Sequence, residues 1–225
     1  MKEINKIAVI AAYNEEKKVA SVVDDVSRYV DLVIVVDDGS IDKTASVVKN
    51  KKAVVLKHCI NLGQGAALQT GFDYAKRFNP KVTITYDADG QFEAREIPKI
   101  IRPILDQQAD IVLGSRFLGK TVNMSHVRKY VLKLGILFTL IFSEIKLTDT
   151  HNGFKALSEK ALNSIEITQN RMAHASEIID EIKRNNLSYV EIPVTVKYND
   201  YSKQKGQSSL NSIKILLELI SRKLN

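Results

Sequence analysis

Hydrophobic residues along the chain fall into two kinds of run. Short continuous stretches, Lys6–Ala12 (KIAVIAA), Leu32–Val36 (LVIVV), Ala53–Leu56, Val82–Tyr86 and Asp110–Leu113, read as strands covered on both faces. Between them lie segments whose apolar positions repeat at three and four. After Tyr13-Asn14-Glu15-Glu16 the set is Val19, Val22, Val23, Val26 and Val30. Further helices are predicted over about 43–50, with Asp42 placed to cap it, over about 66–78, stopped by Asn79-Pro80, and near 95–107. Strands alternating with helices predict an α/β fold: a mostly parallel, Rossmann-like sheet with helices on both faces. In such sheets ligands sit beyond the C-terminal ends of the strands.

The texture changes at Gly114. Gly114-Ser115-Arg116-Phe117 leaves the fifth strand, and Val122–Lys146 is a mostly apolar helical stretch with few acids. Asp149-Thr150-His151-Asn152-Gly153-Phe154-Lys155 is a polar turn entering a short apolar segment. A helix around 173–185 and a β-rich run, Tyr189–Tyr198, follow. Residues 199–209 show no apolar face and read as a mobile loop. The last predicted helix, about 210–224, carries Ile213, Leu216, Leu217, Ile220 and Leu224 on one side. No repeat, low-complexity tract or linker divides the 225 residues, which predicts one domain.

Composition, 44% hydrophobic and 26% charged, is that of an ordinary globule. The single cysteine, Cys59, has no internal partner for a disulfide, so a reducing cytoplasm is the expected setting. The apolar run after Met1 is too short for a signal peptide, and no uninterrupted run reaches the ~18 residues of a membrane span. Net charge is +7, and it is uneven. Residues 116–155 carry a local +5 and residues 197–225 a local +4, so basic charge sits with the two most amphipathic stretches. That pattern suits helices at an anionic membrane surface. Nucleic acid is not the expected partner, because no recognisable nucleic-acid module occurs and the basic parts hold few aromatics.

Candidate chemistry clusters at strand ends. Asp87-Ala88-Asp89-Gly90-Gln91 closes the fourth strand, and on an extended chain Asp87 and Asp89 point the same way. Carboxylates that close repel and cost several kcal/mol to bury unpartnered; a hard cation, Mg²⁺ or Mn²⁺, removes the penalty and can take its other ligands from a diphosphate. A solvated acidic turn is the plainer alternative. Asp37-Asp38-Gly39-Ser40 places carboxylates where they could accept hydrogen bonds from a base or ribose, though Asp-Gly-Ser is also ordinary turn chemistry. Gly63, Gly65 and Gly71 echo a dinucleotide fingerprint but follow the third strand rather than the first, so they are read as permitting close backbone approach and a tight helix start. Arg116, Lys203 and Lys205 are candidates to neutralise a departing diphosphate. His174 and Glu177 share a helix face, His151 and His174 lack metal spacing, and no G-x-S-x-G supports serine chemistry.

Six ordered motifs together resemble the family 2 glycosyltransferases of GT-A fold, above all dolichyl-phosphate mannose synthase and its bacterial polyprenyl-phosphate relatives. They are Ala11-Ala12-Tyr13-Asn14-Glu15-Glu16, Val35-Val36-Asp37-Asp38-Gly39-Ser40, Asn61-x-Gly63-x-Gly65, Asp87-Ala88-Asp89-Gly90-Gln91, Gly114-Ser115-Arg116-Phe117 and Asn152-Gly153-Phe154-Lys155. The likeness covers about residues 6–200 and splits the domain into a nucleotide-sugar half, 1–115, and an acceptor and membrane-facing half, 116–225. It implies that Ala11, Tyr13, Glu15, Val36 and Asp38 hold the nucleoside, and Asp87, Ala88 and Asp89 the diphosphate. The metal would sit on Asp87, Asp89 and Gln91; Arg116, with Lys203 or Lys205, would contact phosphate; Asn152 and Lys155 would face the acceptor. Ala11 stands where proline is usual, Lys155 replaces a common arginine and so lacks its bidentate fork, and Ser208-Ser209 stands where a Ser-Lys pair is expected.

The resemblance implies an inverting transfer of one sugar from a nucleotide-diphosphate donor, a UDP-sugar by likeness to bacterial relatives, to a polyprenyl phosphate at the cytoplasmic membrane face. Without the C-terminal spans of many relatives, the enzyme is expected to be peripheral, reaching lipid through amphipathic helices or a small membrane partner protein. A phosphate acceptor is largely ionised at neutral pH and needs little help from a base. A saccharide hydroxyl, the alternative acceptor in surface-polysaccharide synthesis, does need one, with Asp149 or Glu177 the candidates. A non-catalytic nucleotide-sugar-binding regulator is the non-enzyme alternative, opposed by retention of Asp87, Asp89 and Gln91. A sugar nucleotidyltransferase is set aside, because the turn after the first strand is acidic where a glycine-rich basic loop belongs.

Overall fold

The computed structural model describes residues 3–198 except 50 and 144. The expected loop over 199–209, the helix over 210–224, Lys203, Lys205 and Ser208-Ser209 lie outside the described residues. Seven strands form one sheet in the order β3-β2-β1-β4-β6-β5-β7. They are β1 Lys6–Ala12, β2 Leu32–Asp37, β3 Ala53–Lys57, β4 Val82–Asp87, β5 Ile111–Val122, β6 Lys155–Ser158 and β7 Tyr189–Lys197. All run the same way except β6, which is antiparallel to both neighbours, β4 and β5. The mostly parallel α/β sheet expected from the pattern is therefore present. The reversed strand is the short apolar segment that follows the 149–154 turn.

Helices cover both faces because the strands are apolar on both. Ala8, Ile10 and Ala12 of β1 face one core together with α1 (Val19–Val26) and α4 (Ile97–Leu105). Ile7 and Val9 face the other, shared with α3 (Gln64–Lys76), α6 (Glu159–Ser164) and α7 (His174–Arg184). The valine stripe that opens as α1 ends its helix at Val26, earlier than its apolar repeat; Val30 packs on the same core from the following turn. A short α2 (Thr44–Val48) follows Asp42, whose carboxylate accepts the Thr44 N–H. The predicted strand at 110–113 continues to Val122 by pairing with β7, through a register shift between Ser115 and Lys120.

The long apolar stretch forms α5 (His126–Ser143). Among its described side chains, several large apolar ones face outward and several small ones inward. Val127, Tyr130, Leu134 and Leu137 are exposed, whereas Gly135, Thr139 and Ser143 are buried. Among the described residues no helix is long and apolar enough to cross a membrane.

Gly63 and Gly65 do serve close approach. The N–H of Ala66, in the first turn of α3, donates to the Asn170 carbonyl of the strap leading to α7. A Cβ on Gly65 would stand 1.9 Å from the Gln169 carbonyl oxygen. The start of α3 is thus closed by protein backbone. Forcing a methyl between two backbones costs about 1–3 kcal/mol. Gly65→Ala is expected to lower the melting temperature by roughly 2–12 °C for a chain of this size; a calorimetric scan showing no decrease would contradict this packing.

Candidate active site

Parallel pairing lines up the expected donor residues. Across the sheet Ala11 of β1 sits beside Val36 on one side and Asp87 on the other. The loop after β1 is locked to the loop after β2. Asn14, at φ 55°, donates its N–H to Ser40 Oγ (2.9 Å), and its Oδ1 accepts the Ile41 N–H (3.0 Å). The Glu15 N–H donates to Thr44 Oγ1 (2.7 Å), and Glu16 and Asp42 bridge the same two loops. Glu15 is buried by this, while the Tyr13 ring stays 45% exposed at the mouth.

Asp38 is engaged by the loop after β3. Its Oδ1 accepts from the Leu62 N–H (2.9 Å) and lies 2.7 Å from His58 Nδ1; its Oδ2 accepts from Asn61 Nδ2 (2.9 Å) and the Gly63 N–H (2.7 Å). Two donors on each oxygen fill the carboxylate's usual acceptor capacity. As placed, Asp38 organises the loop 58–63 rather than offering a free carboxylate to a base or ribose.

At the end of β4, Asp87 and Asp89 lie near enough for the Asp87 charge to bear on Asp89. Antiparallel pairing sets Thr85 opposite Lys155, and one step further Gly153 passes the Asp87 side chain. A Cβ on Gly153 would stand 2.4 Å from both Asp87 oxygens, so glycine lets the carboxylate lie on the β6 backbone. Thr85 Oγ1 ties that backbone down through the Gly153 carbonyl (2.6 Å). Gln64 Nε2 reaches Asp87 Oδ1 at 3.3 Å. Asp89 Oδ1 accepts the Gln91 N–H (3.0 Å) and Oδ2 the Gln91 side-chain amide (2.6 Å), while Ala88 between the acids is buried. Burial raises both carboxyls, and the Asp87 charge helps push Asp89 up to about 7. Two acids that burial and mutual repulsion make reluctant to ionise are a donor set that a divalent oxygen-seeking cation fits, with Gln91 adjacent.

The second half departs from expectation. Arg116 is 6% exposed and turned inward: Nε donates to Asp149 Oδ2 (2.6 Å), Nη1 to the Tyr198 hydroxyl (2.7 Å) and Nη2 to the His151 carbonyl (2.5 Å). Asp149 Oδ2 also accepts the Arg116 N–H and Asn152 Nδ2, and Glu191 holds the 148–149 backbone in place. Asp149 is therefore the buried partner of Arg116 through Oδ2, while its buried Oδ1 has no hydrogen-bond partner among the described residues. Glu177 is spent as well, accepting the Thr168 and Gln169 N–H groups and the Thr168 hydroxyl. Asn152 is buried with Oδ1 on the Phe154 N–H, and Lys155 is buried with Nζ on the Asn152 carbonyl, so neither side chain faces outward to an acceptor. Burial pulls Lys155 down to about 8, against the attraction of Asp87 and Asp149.

Two histidines join this region although their spacing gave no sign of it. His151 lies beneath Gly135 of α5, and His174 opens α7 with Nδ1 2.8 Å from the Arg171 carbonyl. Burial above all, with Lys155 adding to it, lowers each to about 4. A histidine whose folded pKa is depressed stabilises the protein fully above its unfolded value of about 6.5, and that stability is lost as pH falls toward 4. For His174 the shift corresponds to about 3 kcal/mol. His174→Asn, which keeps a donor for the carbonyl, is expected to flatten the fall in melting temperature between pH 6.5 and 4.5; a slope equal to wild type would contradict this burial.

The family described as Glycosyl transferase family 2 matches residues 7–165. An uncharacterised Methanocaldococcus jannaschii protein is 34% identical over 232 residues, covering 99% of this chain and 95% of its own. The UDP-N-acetylglucosamine–dolichyl-phosphate N-acetylglucosaminyltransferase of Methanococcus voltae is 32% identical, covering 96% of this chain and 95% of its own. Among solved structures, glucosyl-3-phosphoglycerate synthase from Mycobacterium tuberculosis, in complex with Mn²⁺, UDP and glucosyl-3-phosphoglycerate, superposes with a TM-score of 0.71 at 20% identity, over 96% of this chain and 79% of that one. The fold is that of these GT-A enzymes, and the chain belongs to glycosyltransferase family 2.

Proposed function

We propose that the protein is a metal-dependent, inverting glycosyltransferase that moves a sugar from a UDP-sugar to a polyprenyl phosphate at the cytoplasmic face of the membrane. The observation that carries the donor half is the meeting of Asp87 and Asp89 at the β4 end, in register with Ala11 and Val36. The acceptor half is supported by the Methanococcus voltae relative, whose name gives both a UDP-sugar and a dolichyl phosphate.

Asp87 and Asp89, with Gln91, would hold Mg²⁺ or Mn²⁺, which supplies Lewis-acid stabilisation of the departing diphosphate. The remaining steps belong to the chain. Tyr13 offers an exposed ring against which a base can stack, and the interlocked loops at 13–16 and 38–44 fix that platform. Asp38 shapes the adjoining loop from behind. Arg116 contributes its positive field from within, since its hydrogen bonds hold it off the surface. Of the two candidate bases for a hydroxyl acceptor, Glu177 is held by backbone and Asp149 is buried and paired with Arg116 through Oδ2. This favours a phosphate acceptor, whose oxygen is already ionised.

The outward-facing apolar side chains of α5 support the membrane location. An exposed stripe of Val127, Tyr130, Leu134 and Leu137 beside Arg128, Lys129 and Lys133 matches a helix whose apolar side enters the headgroup region among anionic lipids.

Incubation with a panel of nucleotide sugars, Mn²⁺ and short polyprenyl phosphates tests the reaction. Expected is a glycosyl phospholipid from a UDP-sugar, lost by at least about 10²-fold in Asp89→Asn. Product formed only on a sugar hydroxyl would overturn the acceptor assignment. For the membrane face, Leu134→Glu with Leu137→Glu should reduce co-sedimentation with anionic vesicles about tenfold or more; undiminished binding would remove α5 from that role.

A further inference from the structure

Lys155 has no place in the mechanism above, yet it is a buried cation beside the acidic pair. It lies in β6, opposite Thr85 of β4. Residues two apart on a strand share a face, so Thr85 and Asp87 leave β4 on the side where Lys155 leaves β6. The Lys155 side chain is 4% exposed, and the hydrogen bond recorded for it goes to the Asn152 carbonyl, a neutral acceptor. A buried ammonium needs negative charge nearby, and the carboxylates that favour it are Asp87 first and Asp149 second. Asp149 is already bound to Arg116. For Asp87, in turn, Lys155 is the largest favourable charge, ahead of Arg116, while Glu15 adds repulsion.

We infer that Lys155 is the resident through-space counter-ion of Asp87, a positioning residue whose charge acts across the β4–β6 pairing without a direct ion pair and weakens the site for a bare divalent cation, so that metal enters together with a nucleotide diphosphate. The inference rests on the donor reading above. With one positive charge facing Asp87, and Asp89 engaged by the Gln91 amide, the pair attracts a lone M²⁺ less than two free carboxylates would. A diphosphate restores the missing negative charge from the ligand side. The single reversed strand is what carries the lysine there: a parallel β6 would not bring Gly153 onto Asp87 and Lys155 beside Thr85 by the same turn.

The test measures Mn²⁺ binding by the EPR signal of free Mn²⁺, with and without UDP or GDP, for wild type, Lys155→Met and Lys155→Arg, alongside melting temperatures with and without Mn²⁺. In wild type the nucleotide should tighten Mn²⁺ at least tenfold. In Lys155→Met, Mn²⁺ alone should bind about tenfold more tightly, the gain from nucleotide should shrink to match, and Mn²⁺ should raise the melting temperature more than in wild type. Lys155→Arg keeps the charge and should behave as wild type. Unchanged or weaker Mn²⁺ binding in Lys155→Met, or equal shifts in the methionine and arginine variants, would overturn the role of Lys155. If Lys155→Met does not fold, Lys155→Gln with and without Mn²⁺ gives the same comparison. Failure of both nucleotides to affect wild type, with the Mn²⁺-only difference intact, would count against the donor reading and leave the counter-ion standing.

Discussion

Repulsion between Asp87 and Asp89 is the constraint on which the site depends. Held at the end of a strand and largely out of water, the two acids resist full ionisation, and the surrounding chain is arranged to make them bearable. Gly153 gives one carboxylate a backbone to lie against, Gln64 and Lys155 partly answer its charge, and Gln91 covers the other. None of these contacts supplies the dense negative-to-positive match that a divalent ion would.

Other polar side chains at this end of the sheet organise the loops around that pair. Several acidic side chains near the strand ends fasten neighbouring loops. Asp38 fastens the loop after β3 with four contacts, Glu177 fastens the strap over α3, and Asp149 fastens Arg116. Tyr198 takes part in the last group through its hydroxyl, while the Arg128 guanidinium of α5 stacks 4.8 Å from its ring centre. The floor of the site is thus linked to the helix whose apolar side is turned to solvent.

How much of this the sequence discloses depends on whether the physics is local. The strands β1 to β4 are legible within about a residue, because each is a run rich in apolar and β-branched residues that ends in polar ones. The acidic pair is legible because its cost is intrinsic to two carboxylates at i and i+2. The four residues of β6 are not, since Lys-Ala-Leu-Ser has no strand pattern of its own and its direction is set by the neighbours it joins. Nor does composition show that Arg116 faces inward: its partner lies 33 positions later, and its exposure is decided by that pairing. Resemblance places Asp38, Asn152 and Lys155 at the site, where the fold does bring them, but the atoms they touch follow from tertiary packing.

The most direct measurement is the anomalous signal of manganese in a crystal grown with Mn²⁺ and UDP. The expected result is one peak within coordination distance of carboxylate oxygens from Asp87 and Asp89 and of the diphosphate. A peak elsewhere, with those oxygens facing solvent while UDP is bound, would contradict the assignment of the pair as the metal and donor site.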